Sequence, residues 1–169
     1  MTIDTIVQHW PEIRRVVELG QTSSLYCSIA TVGADGMPNV TPIGTVFLNS
    51  DPSGFFFDRY TSALAESLAS DDRICLMAVN SSKTYWFRSL LFGRFPSPPG
   101  VRLYGRAGPL RPATQAELQQ IESRVESVQR LKGGRLLWSS FTHVRELNFS
   151  SFRPVKYPVM MEGLWQADA

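Results

Sequence analysis

The sequence predicts an α+β or barrel-like domain of antiparallel strands with a few helices at the rim. Three observations carry that reading. The stretch "LYCSIATV" alternates, with Leu25, Cys27 and Ile29 on one face and Tyr26, Ser28 and Ala30 on the other, as a half-buried strand does. It runs into "GADG", where Asp35-Gly36 is a strong hairpin signal because glycine tolerates the positive φ of tight turns. Downstream, "ATQAELQQIESRVESVQRL" places Leu118, Ile121, Val125 and Val128 on one helical stripe behind a Thr114–Glu117 capping box.

The remaining elements follow in chain order. Residues 3–19 read as an amphipathic helix with Ile6, Ile13 and Val17 among its apolar positions and Gly20 as its stop. After the hairpin, "NVTPIGTVFLN" is the return strand. Its Pro42 has no amide donor, so that part lies at an edge, a bulge or a ligand-facing opening. The "SDPSG" turn leads into a third strand, "FFFDR", and "TSALAESLAS" forms a brief helix. "RICLMAVN" reads as a strand buried on both sides, and the aromatic, proline-rich residues 81–100 as a long excursion. "VRLYGRAGPL" is a strand whose central Gly105 marks close approach by a backbone or a ligand. After the long helix and a "KGGR" break, "LWSSFTHVRELNFSSFRPVKYPVMMEGLW" leads to a short polar end. With no repeat and no linker, residues 1–169 are expected to form one domain.

Composition narrows the function. The 169 residues are 43% hydrophobic, enough for a full core. A net charge of +2 makes no general case for nucleic acid or an acidic membrane surface. The start of the chain lacks a charged-then-apolar signal pattern and no apolar run is long enough to span a bilayer, so a cytoplasmic protein is expected. Cys27 and Cys75 sit in apolar stretches without CxxC spacing and are read as buried, reduced thiols over a metal or redox pair.

No P-loop, GxGxxG, HExxH or GxSxG motif is present. His9 and His143 are far apart in sequence and lack an obvious acidic neighbour, which favours surface or structural roles. Asp71-Asp72 most simply caps or follows a helix end. The side chains offer no self-sufficient catalytic machinery, so an enzyme of this sequence would leave the difficult step to a cofactor. The corner "DRYTS" is the one place with two readings. Thr61 or Ser62 caps the following helix, worth about 1 kcal/mol. Alternatively the free amides, both hydroxyls and the Arg59 charge together hold an anion at a helix amino terminus.

The order of elements from "LYCSIATV" to "RICLMAVN" resembles the pyridoxamine 5'-phosphate oxidase-like, FMN-binding split-barrel family. The matching features are a strand ending "ATV", a "DG" hairpin and a strand with a proline and small residues. An aromatic strand at 55–57, a short helix at 63–69, a strand entered through Asp72-Arg73-Ile74 and the later strand holding Gly105 complete the set, over residues 25–110. The resemblance implies a mainly β, six-stranded antiparallel split β-barrel with flanking helices, a homodimer, and FMN in a cleft between subunits. Its flavin contacts fall on Pro42, Ile43, Gly44, Thr45 and Val46, which would run backbone groups along the isoalloxazine edge, Gly44 leaving room for the ring. The phosphate falls to Phe57, Asp58, Arg59, Tyr60, Thr61 and Ser62. Trp86, Arg102 and Trp165 are candidates to reach across from the partner, and the aromatics Tyr85, Trp86, Phe87, Phe92 and Phe95 would be partly interfacial.

The implied function is a flavin-dependent oxidoreductase exchanging hydride with a small-molecule substrate. The alternative is a non-catalytic flavin-, haem- or deazaflavin-binding protein on the same barrel. No metal, nucleic acid or membrane partner is expected. Departures from the family pattern bear on the substrate. Ala63 and Leu64 stand where the oxidases carry a basic pair, "PIGTVF" lacks the basic residues of their second strand, and Gly100 stands near their flavin-contacting glutamine. The end "MEGLWQADA" lacks their tryptophan followed by Arg-Leu. Vitamin B6 oxidation is therefore not expected, and a phosphate would rest on Arg59, Thr61 and Ser62, with Lys83 or Arg106 in support.

Overall fold

A computed structural model describes residues 3–59, 62–129, 133, 140–157 and 159–165. Its elements are α1 (Ile3–Ser24), β1 (Cys27–Val32), β2 (Pro38–Ile43), β3 (Val46–Leu48), β4 (Ser53–Phe57), α2 (Ser62–Ser70), β5 (Arg73–Val79), α3 (Lys83–Phe92), β6 (Gly100–Pro112), α4 (Gln115–Gln129) and β7 (His143–Pro154). All strands join one antiparallel sheet in the order β2-β1-β5-β6-β7-β4-β3.

That order dictates a barrel. β2 and β3 end the sheet on opposite sides, yet only Gly44 and Thr45 separate them in sequence. The three Cα–Cα steps from Ile43 to Val46 span at most about 11 Å, whereas the edges of a flat seven-stranded sheet lie about 29 Å apart. The sheet must therefore curl until its ends meet. Taken as one bent strand, β2–β3 gives the six strands expected; the break at Gly44 supplies the seventh.

The inside of the curl is the main core. Ile29, Leu76, Leu103 and Phe152 lie in one register row across β1, β5, β6 and β7, and all are 0% exposed. Ile6, Trp10, Ile13, Val16 and Val17 of α1 close on the same cluster. Each such side chain contributes about 1.5–3 kcal/mol by leaving water. A second cluster lies on the other side of the sheet, where Phe47, Phe55 and Phe57 of β3–β4 meet Ile121 and Val125 of α4.

Several local readings hold. Gly36 takes φ 80° in the β1–β2 turn, and Asp35 Oδ1 accepts from the Met37 amide at 3.0 Å. The capping box of α4 closes both ways: Thr114 N donates to Glu117 Oε2 at 2.8 Å and Glu117 N to Thr114 Oγ1 at 3.3 Å. Pro42 lies on an edge strand paired only with β1.

Other readings are corrected. α1 does not stop at Gly20 but runs to Ser24 and ends where Leu25 takes φ 69°. A Cβ at Gly20 would stand 3.0 Å from both Ala78 Cβ and Val79 N, so this glycine is there for close helix–strand packing. β5 is not covered on both sides: Ile74, Leu76 and Ala78 are buried, while Cys75, Met77 and Val79 are half-covered. Residues 81–100 contain the helix α3, capped by the Ser82 hydroxyl and by Gly93 at φ 63°. The close approach expected at Gly105 is found, and it is by backbone: a Cβ there would run into the Asn148 carbonyl, at a bulge in the β6–β7 ladder. Both cysteines are free, Cys27 buried and Cys75 half-buried, and burial pushes the Cys27 thiol up to about 12.

Candidate cofactor site

The two groups of residues singled out for flavin meet through one side chain. Thr45 sits where β2 passes into β3, and its hydroxyl donates to the Phe57 carbonyl at 3.2 Å, tying that passage to the end of β4. Beside it, Gly44 and Thr45 line a cavity of about 330 Å³ with Glu18, Gln21 and Thr22 from the end of α1, with Leu25 just after it, and with Arg124 and Val125 from α4. Gly44 leaves real space here: a Cβ on it would meet only the Leu25 carbonyl oxygen, at 3.1 Å, within 4 Å. Gln21 Nε2 donates to the Gly44 carbonyl at 2.9 Å and fixes the strand at that point.

Around this cavity the predicted residues divide by orientation. Ile43 and Val46 bury their side chains in the core, so they can offer a ligand only their backbone. Pro42 is exposed. Phe57 is buried, 5.1 Å from the Phe141 ring. Asp58 is held on both sides, its amide donating to the His143 carbonyl at 3.2 Å and its carboxylate accepting from Arg145 Nε at 2.5 Å. The Arg59 guanidinium lies 6.0 Å from the Phe141 ring centroid. Ser62 and Ala63 are exposed at the start of α2, whereas Leu64 is fully buried in the core. Tyr60 and Thr61 lie outside the described residues.

The more distant candidates stand elsewhere. Arg102 shares an outer-face register row with Pro42, through Ser28 and Met77, and three strand spacings put about 14 Å between them. Trp86 packs within its own chain, its indole donating to the Asn80 carbonyl at 2.7 Å and its ring meeting Phe95 and Tyr157. Trp165 is buried, T-shaped against Phe152 with its indole donating to Glu12, so it belongs to its own core and does not reach outward. Arg106 pairs with Asp72 beyond the far end of α2, about 13 Å of helix away from the corner, and so cannot support a phosphate there. Lys83 is exposed at the start of α3.

Sequence reasoning missed four participants. Arg145 and His143 come from β7 and reach the corner through the β4–β7 register, while Gln21 and Arg124 come from helices that close over the sheet. No local motif marks any of them. His9 also has an acidic neighbour after all, with Glu12 Oε2 4.0 Å from its Nδ1. Among the described residues, no three His, Cys, Asp or Glu side chains gather as a metal site, and no helix is long and apolar enough to cross a membrane.

Solved structures of similar fold include several with named ligands. An FMN-binding protein from Syntrophomonas wolfei subsp. wolfei superposes with a TM-score of 0.56 at 11% identity, covering 92% of this chain and 97% of that one. HutZ, the heme storage protein of Vibrio cholerae, gives 0.52 at 15% identity over 85% and 94%. An F420 reductase gives 0.50 at 12% over 85% and 94%. At these identities what is shared is the fold. No curated protein matches the chain. The family model described as pyridoxamine 5'-phosphate oxidase matches residues 10–148. By that match, which spans most of its length, the chain belongs to the pyridoxamine 5'-phosphate oxidase family.

Proposed function

We propose that the protein is a cytoplasmic FMN-binding flavoprotein, an oxidoreductase that exchanges hydride with a small substrate. The observation that carries this reading is the Thr45–Phe57 hydrogen bond, which brings the Gly44 cavity and the Arg59 corner into one patch. An aromatic ring suits the first, between Leu25 and Val125, and an anion the second, at the start of α2. FMN would supply the redox chemistry, which accounts for the absence of any acid–base dyad among the residues around the cavity. The chain's own residues hold and orient. Gln21 and Thr45 fix the strand that faces the ring, and the Asp58–Arg145 pair anchors the corner that presents Arg59.

The test separates ring from phosphate. Hydrogen bonds to a charged group are worth roughly 1.5–3 kcal/mol each, so Arg59→Ala should weaken FMN about tenfold or more. It should weaken riboflavin, which has no phosphate, far less. Titrating both flavins into wild type and variant decides: equal losses, or none, would make the corner a helix cap only.

A second reading keeps one observation of its own. His143 opens β7 beside Asp58 and is exposed, which puts an imidazole at the edge of the corner. An imidazole is an axial ligand for haem iron, and a non-catalytic haem protein on this barrel would use it. Colour separates the two: a yellow preparation releasing flavin on denaturation supports the first, a red one the second.

The same proposal includes a homodimer. Tyr85, Trp86 and Phe95 pack against each other and Tyr157 within the chain. Phe87, Leu90, Leu91 and Phe92 of α3 do not; each is about two-thirds exposed. They are apolar surface that a twin subunit would cover, as are Met37 and Val40 on the edge hairpin and half-covered Met77 and Cys75 on the outer sheet face. Light scattering should therefore report about 38 kDa, twice the 19.0 kDa chain. A monomer at micromolar concentration would remove the shared-cleft arrangement.

A further inference from the structure

Among the described residues that line the Gly44 cavity, two carry charge, Arg124 from α4 and Glu18 from α1. Only the first has a fixed place. Arg124 Nη1 donates to the carbonyl of Val46, the residue after cavity-lining Thr45, at 2.5 Å. Its guanidinium also stands 3.5 Å from the centroid of the Phe47 ring, itself stacked on Phe55 in the second core cluster. The hydrogen bond holds the charge at the β2–β3 passage, and the aromatic face seats it there. Arg124 keeps some surface in water, but these two contacts pin its charged end. Glu18 is exposed, and among the described residues it has no cation within 4.0 Å. The wall of the cavity therefore carries a positive charge that is positioned in advance and a negative one that is left to solvent.

We infer that Arg124 sets the reduction potential of a flavin held in this cavity, by stabilising the negative charge that reduction places on the ring. The inference rests on the flavin reading above. Two electrons and one proton delivered to a neutral flavin ring leave it with one negative charge. A cation fixed in the wall attracts that charge and has no such hold on the oxidised ring, so it favours the reduced state. Glu18 acts in the opposite sense and more weakly, because water screens an exposed, unpinned carboxylate. Arg14 and Arg15 line the neighbouring groove between α1 and α4 but not this cavity, so either supplies a control of the same charge in a different place.

The midpoint potential of FMN bound to the full chain, measured without oxygen using dithionite and a reference dye, tests it. Arg124→Gln should weaken reduced FMN about tenfold more than oxidised FMN, which lowers the two-electron midpoint by about 30 mV. Arg124→Lys keeps the charge and should recover at least half of that shift. Glu18→Gln should raise the midpoint, and Arg14→Gln should leave it unchanged. If Arg124→Gln, having lost its bond to Val46, folds poorly, Glu18→Gln decides alone: a midpoint that does not rise overturns the inference. An Arg124→Gln protein that binds both redox states more weakly by the same factor also overturns it. Arg124 would then pack or hold the phosphate, and the flavin reading would stand. A wild-type chain that takes up no flavin overturns both readings together.

Discussion

Asp58→Asn will lower the free energy of unfolding by about 3–5 kcal/mol, while Asp72→Asn will change it by less than about 1 kcal/mol. Both carboxylates meet an arginine nitrogen at 2.5 Å, so distance alone predicts equal effects. Burial decides otherwise. The side chains of Arg145 and Asp58 are 13% and 8% exposed, those of Arg106 and Asp72 66% and 45%. Water screens the second pair and readily solvates whichever partner is left behind. The first substitution strands the Arg145 cation beneath the corner with the Gly108 carbonyl as a long, 3.4 Å acceptor. Urea unfolding of both variants measures the contrast. Adding Arg145→Met to Asp58→Asn should recover much of the loss, because no buried charge then remains. Equal effects at Asp58 and Asp72 would mean that the corner is wetter than its packing indicates.

That pair also shows where sequence reading reaches and where it stops. Asp58 and Arg145 are 87 residues apart, and only the β4–β7 register brings them together. Features encoded within a few residues are legible: the Asp35-Gly36 turn, the Thr114–Glu117 box, the alternation of β1. Gly20 misleads because its missing Cβ serves packing against Ala78, and a sequence cannot distinguish a helix-stopping glycine from a packing glycine. α3 escapes because it has no single apolar stripe. Tyr85 and Trp86 turn inward while Phe87, Leu90 and Leu91 turn out, so the apolar residues run round the helix. Its brackets, Ser82 before and Gly93 after, were the usable signal. At the candidate site, the β2–β3 passage of Gly44 and Thr45 that lines the cavity is marked in the sequence by the small residues after Pro42. The helix residues that close it, Gln21 and Arg124, are not, since nothing local marks the side of a helix that ends over a particular strand.

Two glycines that look alike in the sequence should respond in opposite ways. Gly105→Ala will cost about 3 kcal/mol or more, or prevent folding, because even one methyl runs into the Asn148 carbonyl of the neighbouring strand. Backbone at a β-bulge cannot withdraw without breaking the β6–β7 ladder, which is the barrel's longest pairing. Gly44→Val will leave a folded protein and lower flavin affinity about a hundredfold. Its Cβ meets only the Leu25 carbonyl, on a residue with φ 69° outside any helix or strand, where a few tenths of an ångström can be absorbed. A β-branched residue is at ease in an extended chain, and its two methyls would then fill the cavity shared with Thr22 and Val125. Thermal unfolding followed by FMN and riboflavin titration of each variant distinguishes the cases. The proposed flavin placement sets Gly44 against the ring and not the phosphate, so on that proposal Gly44→Val should weaken both flavins alike, the reverse of the discrimination expected from Arg59→Ala. A folded Gly44→Val that binds flavin as tightly as wild type would move the ring away from this cavity. A variant that cannot fold would instead make Gly44 a packing glycine like Gly20 and Gly105.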